Sequence, residues 1–271
     1  MPLVNFLCCS WTILVFVFLY LPIALLILYS FNASELSSIW GGFSLEWYRK
    51  LWDSQPLIDS LKNSLIIAFA TTLISVVFGT IGAWLLYRYR YPGFRVLSTL
   101  IFIPMVIPEV IMGVSLLILF SLVAGPLNQW LATFSEQEFG LGYLTIIIAH
   151  TTFCFPFVLV AVRARLAGVD PHLEEAAMDL GASPLRAFWL VMVPYLLPAI
   201  VSGALMSFTL SLDEVIVTFF VTGPESQTLP IKVFGMAKKG LDPSLNAISS
   251  VLVIATIASV LLAEGARRIN R

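Results

Sequence analysis

Long apolar runs set the pattern of this chain. Six of them, at roughly 11–31, 63–87, 97–124, 140–162, 195–222 and 247–264, carry few or no charges. A helix needs about 20 predominantly apolar residues to cross a bilayer, so the pattern predicts six transmembrane helices. The fold class it implies is all-α, a polytopic membrane protein with residues 1–271 forming one transmembrane domain and no room for a soluble one. Polar stretches at 32–62, 88–96, 125–139, 163–194 and 223–246 separate the runs.

The runs differ in character. The first carries Pro22, tolerable where neighbouring helices satisfy the freed carbonyl, and it reads as a retained anchor, because no basic region precedes it. The second holds Gly79 and Gly82 among Ala, Thr and Ser. Small residues let membrane helices pack closely, so this span belongs inside the bundle. Pro104, Pro108 and Gly113 interrupt the third and predict a kink or a break there. Outside the runs, Trp40, Trp47, Tyr48 and Trp52 suit an interfacial belt or a surface that meets an outer partner. A short amphipathic helix is expected over 230–239.

Composition agrees, with 59% hydrophobic and only 11% charged residues, against about 25% charged in a soluble domain. The net charge of −1 predicts no nucleic-acid partner. The placement of Lys and Arg says more. Arg88, Arg90, Arg95, Arg163, Arg165, Arg186, Arg267, Arg268 and Arg271 fall on one side of the predicted topology, and Arg49, Lys50, Lys62, Lys232, Lys238 and Lys239 on the other. The positive-inside rule then puts both termini and the 163–194 loop in the cytoplasm.

Three cysteines make no disulfide framework: Cys8 and Cys9 are adjacent and Cys154 lies in a span. His150 and His172 are the two histidines, with no metal-ligand spacing around them, so no metal is expected. His150 suits a hydrogen bond between helices or a proton relay. No GxxxxGK[ST] phosphate loop occurs, so the chain does not hydrolyse ATP by that route.

Lipid does not explain Glu109, Asp213 and Glu214. An acid at a span centre costs about 2.5–3.5 kcal/mol on insertion scales, so such acids face a wet cavity or a partner. Successive helical residues point about 100° apart; one of Asp213 and Glu214 would line a pathway while the other caps or pairs. Phe208 and Phe219 are nearby aromatic candidates for contact with a cation.

The loop at 163–194 is too elaborate for a connector. Asp170-Pro171 gives a helix start, a short Ala-rich run of about three turns follows, Gly181 breaks it, and a second helix starts near Ser183-Pro184. Glu175-Ala176-Ala177, three residues, Gly181, nine residues and then Val191-Met192-Val193-Pro194 resembles the EAA motif of permease subunits of binding-protein-dependent ABC importers. Val stands at two positions where that family usually has Ile and Leu.

The resemblance implies a type I importer (MetI-like) permease fold in a bacterial inner membrane, and a non-catalytic subunit. It implies that Glu175, Ala176, Ala177, Asp179 and Gly181 form a coupling helix docking on a cytoplasmic ATPase dimer. ATP and Mg would be bound by that partner, and no cofactor by this chain. A second, related permease subunit and an extracytoplasmic solute-binding protein complete the implied assembly.

A further resemblance covers nearly the whole chain. Tyr29-Ser30-Phe31-Asn32, the run from Phe208 through Asp213 and Glu214, Phe219-Phe220-Val221-Thr222-Gly223-Pro224 and Thr228-Leu229-Pro230-Ile231-Lys232 resemble PotC-type permeases of spermidine/putrescine importers. Glu214 stands where those permeases often have Asp. The implied solute is a polyamine, and importers of iron, thiosulfate or other small solutes share the EAA loop. A proton-coupled secondary transporter would instead use Glu109, Asp213 or His150 as a relay, but no inverted repeat is evident. An intramembrane hydrolase would need a second deep aspartate facing Asp213, or a paired nucleophile and base.

Overall fold

The computed structural model describes residues 2–34, 39–89, 92–133, 139–170, 172–239, 243–254 and 257. Among them every regular element is helical, apart from one antiparallel bridge between Asn32 and Phe43. The chain packs as two units, one of residues 1–59 with 232–271 and one of residues 60–231.

In the first unit, α1 (Pro2–Tyr29) is apolar on every side, and its Phe6, Trp11 and Phe18 are exposed. A helix apolar all round belongs in lipid or a protein core. Behind it the buried Asn32 ties a loop together. Its Nδ2 donates to the Ile39 carbonyl (2.7 Å), its Oδ1 accepts from the Gly41 N–H (2.7 Å), and its own carbonyl accepts from Trp47 Nε1 (2.8 Å). Trp47 sits on α2 (Glu46–Trp52), so this aromatic stretch is folded on itself.

The second unit is organised around α6 (Tyr143–Leu166), with α3 (Gln55–Arg88), α4 (Phe94–Val106) and α5 (Glu109–Leu131) before it. After it come α7 (His172–Asp179), α8 (Pro184–Ala187), a π-helical turn (Phe188–Met192), α9 (Val193–Asp213) and α10 (Ile216–Val221). Val158, fully buried on α6, explains the small residues on both sides of it. A Cβ on Gly79 of α3 would lie 2.7 Å from the Val158 Cβ, and one on Gly203 of α9 would lie 3.0 Å from the Val158 Cα. Three helices thus meet where two of them lack side chains, as the composition of the second run suggested.

One end of this unit carries α7. At the other end Asn63 closes the bundle, donating to the Glu225 and Gln227 carbonyls (3.0 and 3.1 Å) and accepting from the Tyr143 hydroxyl (2.6 Å).

Among the described residues five helices are long and apolar enough to cross a membrane: Asn5–Tyr29, Gln55–Arg88, Glu109–Trp130, Tyr143–Leu166 and Pro184–Asp213. Of the sixth predicted span, 247–254 is helical as part of α12 (Pro243–Ile254), and most of 255–264 lies outside the described residues. Between them α11 (Leu229–Lys239) forms over the expected 230–239 helix.

The third and fifth spans are each broken rather than continuous. Pro108 has no N–H and disfavours helical geometry in the residue before it. Ile107 accordingly turns extended (φ −66°, ψ 132°), and α5 starts afresh at Glu109. Pro104, also expected to interrupt, stays inside α4. The fifth span breaks without a proline, at Glu214 (ψ 120°). The first helix of the 163–194 loop, α7, has eight residues, about two turns rather than three.

Candidate functional site

Both breaks open on one cavity of about 320 Å³, at the small end of the ~300–1,000 Å³ usual for ligand pockets. Glu109 enters it from the first turn of α5, Phe153 from α6, and Thr209, Leu210 and Asp213 from the last turns of α9. Glu214, Val215 and Ile216 complete the wall, and no lining residue is basic. Three of the acids singled out in the sequence therefore meet at one place.

The acids hold different positions. Glu214 is 7% exposed, and its Oε1 accepts the Val217 N–H at 2.8 Å, capping the first turn of α10. A carboxylate at a helix start is favoured by the free N–H groups there. Asp213 and Glu109 are exposed, with carboxylates available to a ligand. Neither Phe208 nor Phe219 is on the wall. Phe219 packs edge-on against Phe220 (5.6 Å between ring centres), whose ring fills the space that the absent side chain of Gly113 leaves.

His150 fixes the geometry of the α9–α10 break. It is fully buried; Nδ1 lies 2.8 Å from Ser211 Oγ and Nε2 2.8 Å from Thr218 Oγ1, one partner on each side of the break. The Thr218 hydroxyl donates its single proton to the Glu214 carbonyl (3.0 Å), so it accepts from Nε2–H. In a neutral ring Nδ1 is then the acceptor of the Ser211 hydroxyl, and His150 clasps both sides of the break.

His150→Gln, whose amide offers one donor and one acceptor, is expected to keep most transport. His150→Phe is expected to lower both the melting temperature of the purified protein and its transport, since it strands a buried hydroxyl at a cost of about 1–3 kcal/mol. A proton relay would fail equally in both, and uptake by the two variants distinguishes the roles.

The α7 end carries a second candidate surface. α7 closes in a Schellman arrangement: the Ala182 N–H bonds the Ala177 carbonyl (3.1 Å), the Gly181 N–H bonds the Met178 carbonyl (2.9 Å), and Gly181 has φ +90°. The next helix starts at Ser183, whose Oγ accepts the Arg186 N–H (3.4 Å), with Pro184 in the first turn. Glu175, Ala176 and Asp179 are exposed and Ala177 is half-buried, flanked by Leu180 (90% exposed) and Leu185 (65%). Two exposed leucines beside small and acidic residues make this a candidate docking surface. Glu174, by contrast, turns inward to an ion pair with Arg88 at the end of α3.

Residues 75–270 match the family model of the binding-protein-dependent transport system inner membrane component. The chain belongs to this family. The permease is 37% identical over 261 residues to the spermidine/putrescine transport system permease protein PotC of Haemophilus influenzae, covering 96% of each chain. It is 41% identical over 239 residues to the putrescine transport system permease protein PotI of Escherichia coli, covering 88% of this chain and 82% of that one. A crystal structure of a bacterial ABC transporter that imports the acidic polysaccharide alginate shares the fold (TM-score 0.76, 17% identity, 99% and 96% covered). The permease is thus a multi-pass inner-membrane protein with the all-α fold of ABC importer permeases.

Sequence reading of the permease missed Phe153, Glu174 and the partners of His150. Phe153 follows His150 by three residues, so helical spacing puts both on one face of α6. That signal was available. The partners of Glu174 and His150 lie 61 to 86 positions away in sequence, and no local pattern announces them.

Proposed function

We propose that this permease translocates polyamines such as spermidine or putrescine, delivered by an extracytoplasmic binding protein. Energy comes from a separate ATPase dimer, which holds ATP and Mg and docks on α7 through Glu175, Ala176, Ala177, Asp179 and Gly181. A second, related permease subunit supplies the other half of the pathway.

The observation that carries the substrate is the cavity at the two helix breaks, with Glu109, Asp213 and Glu214 around it and no basic side chain on its wall. The fold does not set the charge of the solute, because a transporter of an acidic polysaccharide shares it; the wall residues must. A flexible polycation suits exposed carboxylates at Asp213 and Glu109, with the aromatic Phe153 on the same wall. Passage also needs binding weak enough to release, which a few spaced acids in a partly wet site provide better than an enclosed cage.

The mechanism that follows is alternating access. Closure of the ATPase moves α7, the bundle opens outward to accept the solute from the binding protein, and hydrolysis returns it inward. The test is ATP hydrolysis by the complex reconstituted from this permease and its partner subunits, with binding protein loaded with different solutes. Stimulation by polyamine-loaded protein alone is expected. Stimulation by an iron- or thiosulfate-loaded protein instead would keep the importer and remove the polyamine. Uptake driven by a proton gradient without ATP would overturn both.

A further inference from the structure

The ATPase is expected to push on α7, and the short way from α7 into α9 runs through two compliant joints. One is the exposed Gly181 turn, and the other is the π-helical turn at Phe188–Met192. A third connection leaves α7 at its opposite end and has no such joint. The Glu174 carboxylate, in the first turn of α7, pairs with the guanidinium of Arg88, the last residue of α3. Both side chains are largely buried, at 11% and 21% exposure.

The local chemistry favours this pair over a chance contact. An acid at a helix N-terminus and a base at a helix C-terminus each complement the free backbone groups of their own helix. Arg88 is braced besides: its guanidinium lies 5.5 Å from the ring centre of Trp84 and 5.7 Å from that of Tyr89, and Nη2 reaches Met178 Sδ of α7 at 3.9 Å. Trp84 in turn packs on Phe188, with ring centres 4.6 Å apart. From α3 the path continues by direct packing. Gly79 touches Val158 of α6, and α6 carries Phe153 to the cavity wall and His150 to Ser211 and Thr218 on either side of the α9–α10 break.

We propose that the Arg88–Glu174 ion pair is a strut that carries movement of the coupling helix into α3, and through α6 to the wall of the acid cavity. The two residues are positioning residues: neither lines the cavity, and Glu174 points away from the docking surface. The inference rests on the reading of α7 as the ATPase dock. It adds a route into the bundle that bypasses the loop between α7 and α9.

The test uses the complete transporter purified with its ATPase, and rates are counted per intact complex, so that loss of yield does not enter. Glu174→Arg and Arg88→Glu are each expected to retain the ATPase on purification but to lose at least tenfold in ATP hydrolysis stimulated by loaded binding protein. The double variant, which restores opposite charges, is expected to recover most of it. Arg88→Lys keeps the charge without the planar fork; its expected loss is about threefold, and it serves if the reversals do not yield protein.

Unchanged turnover per complex in Arg88→Lys and in either reversal would overturn the strut, leaving a pair that only stabilises the fold. Loss of the ATPase from the single variants would also overturn it, because the pair would then shape the dock rather than transmit from it. An unaltered permease that fails to hold the ATPase would instead sink the docking reading itself.

Discussion

Gly181→Pro is expected to abolish transport, by at least 100-fold, while the helices of the bundle stay assembled. Gly181 has φ +90° and its N–H bonds the Met178 carbonyl. Proline fixes φ near −65° and has no N–H, so the Schellman closure of α7 cannot form. Nothing is packed within 4 Å of the position where a Cβ would stand. The damage is therefore confined to the angle between α7 and α8, and no core contact is lost. Retained membrane insertion and an unchanged melting temperature, with loss of ATPase co-purification and of uptake, are the measurements. Glu175→Lys, which reverses an exposed charge on the same surface, is expected to give a weaker form of the same result. If both variants hold the ATPase and transport normally, α7 is not the dock.

Asp213→Asn is expected to lower polyamine uptake roughly 10- to 100-fold with docking unchanged. A charge-assisted hydrogen bond is worth about 1.5–3 kcal/mol, and about 1.4 kcal/mol is tenfold. Asp213 is the exposed acid of the adjacent pair, whereas Glu214 spends its carboxylate on the Val217 N–H. The two acids should therefore fail differently. Asp213→Asn should change uptake kinetics and leave the melting temperature alone, and Glu214→Gln should lower the melting temperature as well. Phe153→Ala should reduce uptake more than Phe219→Ala, since only Phe153 is on the cavity wall. Unchanged uptake kinetics in Asp213→Asn would make that acid structural.

The helices were legible because length and apolarity are what a bilayer demands, and Glu109 stood out because lipid offers it nothing. Pro108 announced its break, since a missing N–H is a local property. The break at Glu214 was not legible. No proline or glycine marks it; it is held by a side chain capping the next helix and by His150, 61 and 68 positions from its two partners. The same limit applies to Arg88 and Glu174, which folding brings together from distant parts of the chain. Phe208 and Phe219 were chosen for lying near the acids in sequence, but at a helix break nearness in sequence no longer means a shared face. Phe153, from another helix, takes the place on the wall.

The clasp at the second break also bears on how the chain enters the membrane. Synthesis delivers N-terminal segments first, so α6, with His150 in place, precedes α9 and α10. Each acid near a span centre costs about 2.5–3.5 kcal/mol when inserted alone. Asp213 and Glu214 instead arrive beside a helix that already offers His150 to both sides of their break. Element order along the chain thus makes His150 available before the α9–α10 break that it clasps is delivered. A permuted chain that delivered α9 and α10 ahead of α6 would present that break to the membrane without its clasp.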